Sequence, residues 1–233
     1  MCDRLIVALD FPSMEVAMAL VDQLQGICRW FKVGMELYYS AGNAVVERLR
    51  ERGCEVFLDL KLHDIPNTVA GAVRTVAGTG ASLLTIHAGG GERMMRAAAE
   101  AAGAPGAPRL LAVTVLTSMD PAELAAVGVS DAPAAEVLRL ARLARRARVN
   151  GLVCSAEEVA AVREAMGPEA LLVVPGIRPA GADVGDQVRV ATPADAIAHG
   201  ASMLVVGRPI TQAADPARAA EAILSEMSGE LAR

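Results

Sequence analysis

RLIVALDFPSMEVAMALVDQL, residues 4–24, is the stretch on which the reading of the fold turns. Its first third is a short apolar run with β-branched residues, the pattern of a strand buried on both faces. The remainder opens at Pro12 and Ser13 and continues as an amphipathic, Ala-containing segment, as a helix start requires. The junction reads LDFPS. A doubly wound open sheet usually leaves its first strand through the glycine fingerprint GxGxxG, which is missing at this point.

Outward from this unit the same alternation recurs. WFKVGM (30–35), EVFLDLK (55–61), LLTIHA (83–88), RLLAVTVL (109–116), GLVCS (151–155), LLVVPG (171–176) and MLVVGR (203–208) are further apolar runs. Amphipathic segments such as NTVAGAVRTVAG, AAEVLRLARLARRA and SAEEVAAVREAM lie between them. Eight strand-then-helix units within 233 residues predict an α/β protein, a single-domain (β/α)8 TIM barrel over residues 1–233, with the open doubly wound sheet as the alternative. Composition agrees: 53% of residues are hydrophobic and only 3% aromatic, so the core must be built from many small aliphatic contacts.

The composition also narrows the function. A net charge of −5 offers no basic footprint for nucleic acid. No apolar stretch approaches the length of a membrane span, and the N-terminal MCDRLIVALDF has no leader pattern, so a soluble, unprocessed cytoplasmic protein is expected. Cys2, Cys28, Cys54 and Cys154 are scattered without CxxC spacing, and His63, His87 and His199 lack metal-ligand spacing. Neither a disulfide framework nor a metal is predicted.

In a barrel of this class the chemistry sits at the C-terminal ends of the strands. Those ends read Asp10, Lys32, Asp59 with Lys61, His87, Thr117 with Ser118, Ser155, Pro175 with Arg178, and Gly207 with Arg208. Taken singly, an Asp10 or a Ser155 is most simply an ion pair or a helix cap. HAGGG (87–91) could bring backbone to a ligand, though a tight strand-to-helix turn explains its glycines equally well.

The third strand is harder to dismiss. In FLDLKLHDIPNTV (57–69), side-chain alternation points Asp59 and Lys61 one way and Leu58, Leu60 and Leu62 the other. With Lys32 on the neighbouring strand and Asp64 three residues on, two cations and two anions converge where desolvation costs several kcal/mol per ion. Two nearby carboxylates keep Lys61 an ammonium, which makes it a proton donor and a poor Schiff-base nucleophile. A substrate carboxylate forced beside Asp59 would be repelled by roughly 4 kcal/mol at about 4 Å and an effective dielectric near 20. The array therefore suits decarboxylation followed by protonation of the carbon left behind.

A second constellation is PGIRPAGADVGDQ (175–187) with VVGRPI (205–210). Loops after strands seven and eight are the usual phosphate site of such barrels, held by backbone N–H groups and an arginine. Residues 178–191 have the length and Gly/Pro content expected of a lid.

Together FKVG, DLKLHDIPNTV, the VTVLTS run ending at Ser118, PGIRP with GDQ, and GRPI resemble the orotidine 5'-phosphate decarboxylase family, from Asp10 to Ile210. The resemblance implies cofactor-free conversion of orotidine 5'-phosphate to UMP and carbon dioxide in pyrimidine biosynthesis. It assigns Lys61 as proton donor, with Lys32, Asp59 and Asp64 completing the charge array and Asp10 and Lys32 near the ribose. Thr117 or Ser118 would face the pyrimidine, Pro175 would wall its pocket, and Arg178, Gln187, Gly207 and Arg208 would hold the phosphate. It further implies a homodimer in which Asp64, Ile65 and Thr68 act in trans.

Two rivals are weighed. A magnesium-dependent sugar-phosphate lyase of the same superfamily, similar to 3-keto-L-gulonate 6-phosphate decarboxylase or hexulose phosphate synthase, would be expected to carry a carboxylate where this chain has Lys32. A non-catalytic nucleotide-binding barrel would not be expected to keep all four charged residues.

Overall fold

The computed structural model describes residues 2–179 and 191–229. Strands β1 (Leu5–Ala8), β2 (Trp30–Gly34), β3 (Glu55–Leu62), β4 (Leu83–His87), β5 (Arg109–Val113), β6 (Gly151–Val153), β7 (Leu171–Val174) and β8 (Met203–Val206) pair in sequence order. All pairs are parallel, and β8 returns to β1 to close the barrel.

The helices follow the strands. After β1 comes α1 (Met14–Gln23), and after β2 the pair α2 (Met35–Ala41) and α3 (Ala44–Glu51). Next are α4 (Pro66–Ala77), α5 (Gly91–Ala101), the pair α6 (Pro121–Ala126) and α7 (Pro133–Arg146), and α8 (Val159–Met166). The circuit ends with α9 (Pro193–Ala198), α10 (Arg208–Thr211) and α11 (Pro216–Ser228). Local chemistry sets several of these starts. The Ser13 hydroxyl accepts the Val16 N–H at 3.4 Å ahead of α1, and α4 takes Pro66 into its first turn, where the missing N–H costs nothing.

Strand alternation divides the core in two. Ile6, Ala8, Phe57, Leu83, Leu111 and Val205 fill the barrel interior, whereas Leu5, Val7, Leu58, Leu84 and Ile86 face the helical layer. One contact in the sheet requires glycine: a Cβ on Gly151 of β6 would stand 1.9 Å from the Leu171 carbonyl oxygen, so only a residue without one lets β6 and β7 pair. Several strands are shorter than the apolar runs that signal them. Asp10, Thr117 and Pro175 consequently stand on the connections leaving the C-terminal rim, and Arg208 begins the helix that follows β8.

Candidate active site

The register of the first three strands builds the charged cluster. Ala8, Lys32 and Phe57 are paired across β1, β2 and β3, and Gly34 pairs with Asp59 one layer higher. Lys32 thus rises from the lower layer towards two carboxylates. Its Nζ lies 2.8 Å from Asp10 Oδ1 and 3.7 Å from Asp59 Oδ2. Lys61 Nζ lies 2.9 Å from Asp59 Oδ1. The result is a continuous chain of alternating charge, Asp10–Lys32–Asp59–Lys61.

Burial tells which members bear the desolvation cost. The Lys32 and Asp59 side chains are 11% and 15% exposed, Lys61 is 30% exposed and Asp10 is 60% exposed. Ions held this far from water are stabilised only by close opposite charges, so alternation is what makes the cluster tolerable. An array of this kind does not increase stability over an apolar rim; it places charge where a ligand will meet it.

Two residues outside the sequence reading shape the cluster. A Cβ on Gly34 would stand 2.9 Å from Asp10 Oδ1 and 3.0 Å from Lys32 Nζ, so glycine keeps open the space in which that pair meets. Thr85 of β4 is fully buried, and its hydroxyl reaches both Asp59 and the Lys61 backbone. Gly34 is the last residue of FKVG, so its position at a strand end was a usable signal; Thr85 lies inside an apolar run and had none.

Asp64 does not join the cluster within the protomer. It is exposed, its Oδ1 accepts the Ile65 N–H at 2.6 Å, and among the described residues it forms no ion pair. Ile65, 66% exposed, and exposed Thr68 lie beside it at the start of α4. The segment DIPNT is therefore presented outward from the rim that carries Asp59 and Lys61.

Two adjoining cavities open over the barrel mouth. The larger, of about 570 Å³, is lined by Asp10, Lys32, Pro175, Arg178, Gly207 and Arg208, among others. The smaller, of about 160 Å³, brings Asp59, Lys61, Thr117, Pro175 and Lys32 together over the apolar floor of Phe57 and Val205. Thr117 is half-buried and lines this space, while Ser118 is exposed and does not. Arg178 is fixed by its backbone, whose N–H donates to the Ala191 carbonyl at 3.0 Å, and by its guanidinium on the Ile177 carbonyl at 2.9 Å. Arg208 opens α10 directly after Gly207. Gln187, with most of the expected lid, lies outside the described residues.

The remaining strand-end candidates have structural partners. Buried Ser155 bonds through its hydroxyl and its N–H to the Glu158 carboxylate. His87 accepts the Gly89 N–H on Nδ1 at 3.2 Å and stacks on His63 at a centroid distance of 5.0 Å, which supports the turn reading of HAGGG. Burial holds the His87 imidazole below its usual range, and the charges of His63 and Lys61 act in the same direction.

Among the described residues no group of three or more His, Cys, Asp or Glu is placed to hold a metal ion. The space between the Asp10 and Asp59 carboxylates, where a divalent cation would be favoured, holds the Lys32 ammonium.

This geometry can be set beside that of known proteins. The sequence matches the Orotidine 5'-phosphate decarboxylase / HUMPS family over residues 3–223. The chain belongs to that family. Among its relatives, the orotidine 5'-phosphate decarboxylase of Halorhodospira halophila is 56% identical over 227 residues, covering 97% of this chain and 96% of the relative. That of Anaeromyxobacter dehalogenans is 57% identical over 221 residues, covering 95% and 96%. The crystal structure of orotidine 5'-phosphate decarboxylase from Lactobacillus acidophilus superposes with a TM-score of 0.85 at 40% identity, over 96% of this chain and 98% of that one. The family thus agrees with the fold and with the strand-end motifs from which the resemblance was drawn.

Proposed function

We propose that this family member decarboxylates orotidine 5'-phosphate to UMP and carbon dioxide, without a metal or cofactor. The observation that carries the reading is the Asp59–Lys61 contact of 2.9 Å in the lining of the smaller cavity, which adjoins, through Lys32 and Pro175, the larger cavity lined by Arg178 and Arg208. A substrate whose phosphate is held by Arg178, Gln187, Gly207 and Arg208 would place its pyrimidine between Thr117 and Pro175. Asp10 and Lys32 would meet the ribose, and the carboxylate of the ring would be brought against Asp59.

The chemistry follows from charge. Repulsion between the two carboxylates, of roughly 4 kcal/mol at about 4 Å and an effective dielectric near 20, is relieved as carbon dioxide leaves. The electron pair of the broken bond stays on the ring carbon, where the Lys61 ammonium stabilises it and then supplies a proton. Lys32 holds Asp59 and Asp10 in place and, by occupying the position between them, removes the carboxylate pair on which a magnesium-dependent relative would rely.

Asp64, Ile65 and Thr68 complete the site of a second copy in this reading. Their outward placement supports a homodimer in which DIPNT reaches the partner's pocket, where Asp64 would stand beside Lys61 as the second anion. The cytoplasm is the proposed location: a nucleotide that bears both a phosphate and a carboxylate does not cross a membrane unaided, no helix among the described residues is long and apolar enough to span one, and buried Cys28, Cys54 and Cys154 remain thiols.

The test is the ultraviolet absorbance loss of orotidine 5'-phosphate with purified protein in excess EDTA, beside Lys61→Ala. Rapid loss that the substitution abolishes is expected. No loss in EDTA, with magnesium-dependent turnover of a keto-sugar phosphate instead, would overturn the proposal.

A further inference from the structure

The cluster is held from below by a residue that never reaches the cavities. Thr85 is 0% exposed and is absent from the lining of both spaces at the barrel mouth. Its Oγ accepts the Lys61 backbone N–H at 2.8 Å and stands 3.0 Å from Asp59 Oδ1. The direction of the second bond is forced. An amide only donates and an ionised carboxylate only accepts, so the hydroxyl proton points to Asp59.

The Lys61 amide is available because the sheet is interrupted there. β3 pairs Leu58 with Leu84 and resumes at Leu62 with Ile86, leaving Asp59, Leu60 and Lys61 opposite Thr85 alone. The excess is two residues, so the inward face is conserved through the irregularity and Asp59 and Lys61 still point into the mouth. The cost appears in the backbone: Lys61 has φ +49°, in the left-handed region that side-chain-bearing residues rarely adopt. Among the described residues only Arg148 shares this feature outside glycine.

Lys61 Nζ also meets Asp59 Oδ1, at 2.9 Å. A closed loop results, running from the Lys61 amide through the Thr85 hydroxyl to Asp59 and back through the Lys61 ammonium. We propose that Thr85 is a positioning residue for the decarboxylation: one hydroxyl sets the bulged backbone from which Lys61 rises and fixes the rotation of the Asp59 carboxylate. Without it the part-buried Lys61 amide loses this partner, and Asp59 loses a donor that selects one of its oxygens. The inference rests on the decarboxylase reading, and it assigns Thr85 no contact with substrate.

The measurement compares Thr85→Val, which keeps shape but removes the hydroxyl, with Thr85→Ser, which keeps the hydroxyl. kcat, KM and thermal midpoint are recorded, together with the affinity for UMP, which lacks the departing carboxylate. Thr85→Val is expected to lower kcat on the order of ten- to a hundredfold, the effect of losing a hydrogen bond to a charged group, with KM and UMP affinity within about threefold. Thr85→Ser should stay within about threefold of the wild-type kcat. Should the valine variant not fold, Thr85→Ala against Thr85→Ser makes the same comparison. The proposal is overturned if loss of the hydroxyl leaves kcat unchanged, or if kcat, KM, UMP affinity and thermal midpoint all deteriorate together and serine does not restore them. Wild-type protein without decarboxylase activity would instead refute the reading of function.

Discussion

Gly34→Ala offers a direct test of whether the geometry of the charge array matters. The backbone at this position, φ −85° and ψ −179°, is extended and open to any residue, so alanine introduces no backbone strain. Replacement of a glycine at a compatible site should even stabilise the fold slightly, by about 0.4–1 kcal/mol, through the unfolded chain. The new methyl, however, would stand 2.9 Å from Asp10 Oδ1 and 3.0 Å from Lys32 Nζ, against the 3.4 Å at which ordinary contact begins. Both groups must retreat by roughly half an ångström.

With an effective dielectric near 20, lengthening the 3.7 Å Lys32–Asp59 separation by that amount weakens the pair by about 0.5 kcal/mol. The same shift applied to the 2.8 Å Lys32–Asp10 pair would remove about 0.9 kcal/mol, a figure that the 60% exposure of Asp10 reduces through solvent screening. The sum lies between about 0.5 and 1.4 kcal/mol, which corresponds to a fall in kcat/KM of roughly two- to tenfold. Steady-state kinetics on orotidine 5'-phosphate and thermal unfolding of the same preparation measure both sides. A folded Gly34→Ala protein with wild-type kcat/KM would refute the claim that this space is reserved for the array. A large fall in melting temperature would refute the claim that its effect is confined to the site.

Two further outcomes follow from the same geometry. Mixing inactive Lys61→Ala and Asp64→Ala chains should restore activity, because a mixed dimer holds one intact composite site; random two-fold pairing sets the ceiling at about a quarter of wild type. Heterodimers shown to form yet remaining inactive would exclude the sharing of Asp64 between subunits. Because burial lowers the His87 pKa from its ordinary 6.5, the unfolded chain binds this proton more tightly, so stability should fall as pH drops below about 6.5 and level off below the folded value. His87→Asn, whose amide oxygen can still accept the Gly89 N–H, should flatten that part of the melting profile, and an unchanged profile would show that the acid sensitivity arises elsewhere.

Much of the site was legible because parallel barrels concentrate signal at strand ends. Asp10, Lys32, Asp59 and Lys61 are charged residues closing aliphatic runs, and the fold brings all four into one chain of contacts. Thr117 and Ser118 could not be separated from the sequence, since both follow the same run; the bend after β5 turns Thr117 to the cavity and leaves Ser118 in solvent. Asp64, three residues from Lys61, is placed in the same array by its spacing, and only the family resemblance assigns it to the partner's site; within the protomer it stays apart from Lys61. The chain leaves β3 before Asp64 and turns it outward, a separation that a spacing of three residues cannot reveal.

What the sequence determined by itself was the order and kind of the elements, and the identity of the residues at the strand ends, because burial on both faces imposes apolar runs and ions inside such a sheet stand out against them. What only the tertiary structure decided was which ions meet, in what register, and at whose expense. The β3–β4 pairing slips by two residues, an even number that preserves alternation and so leaves no trace in the pattern of side chains. Thr85 then finds itself opposite an unpaired amide and a carboxylate, and Gly34 opposite the meeting point of Asp10 and Lys32. A threonine within an apolar run and a glycine at a strand end are ordinary in one dimension; contacts between neighbouring strands give them their roles.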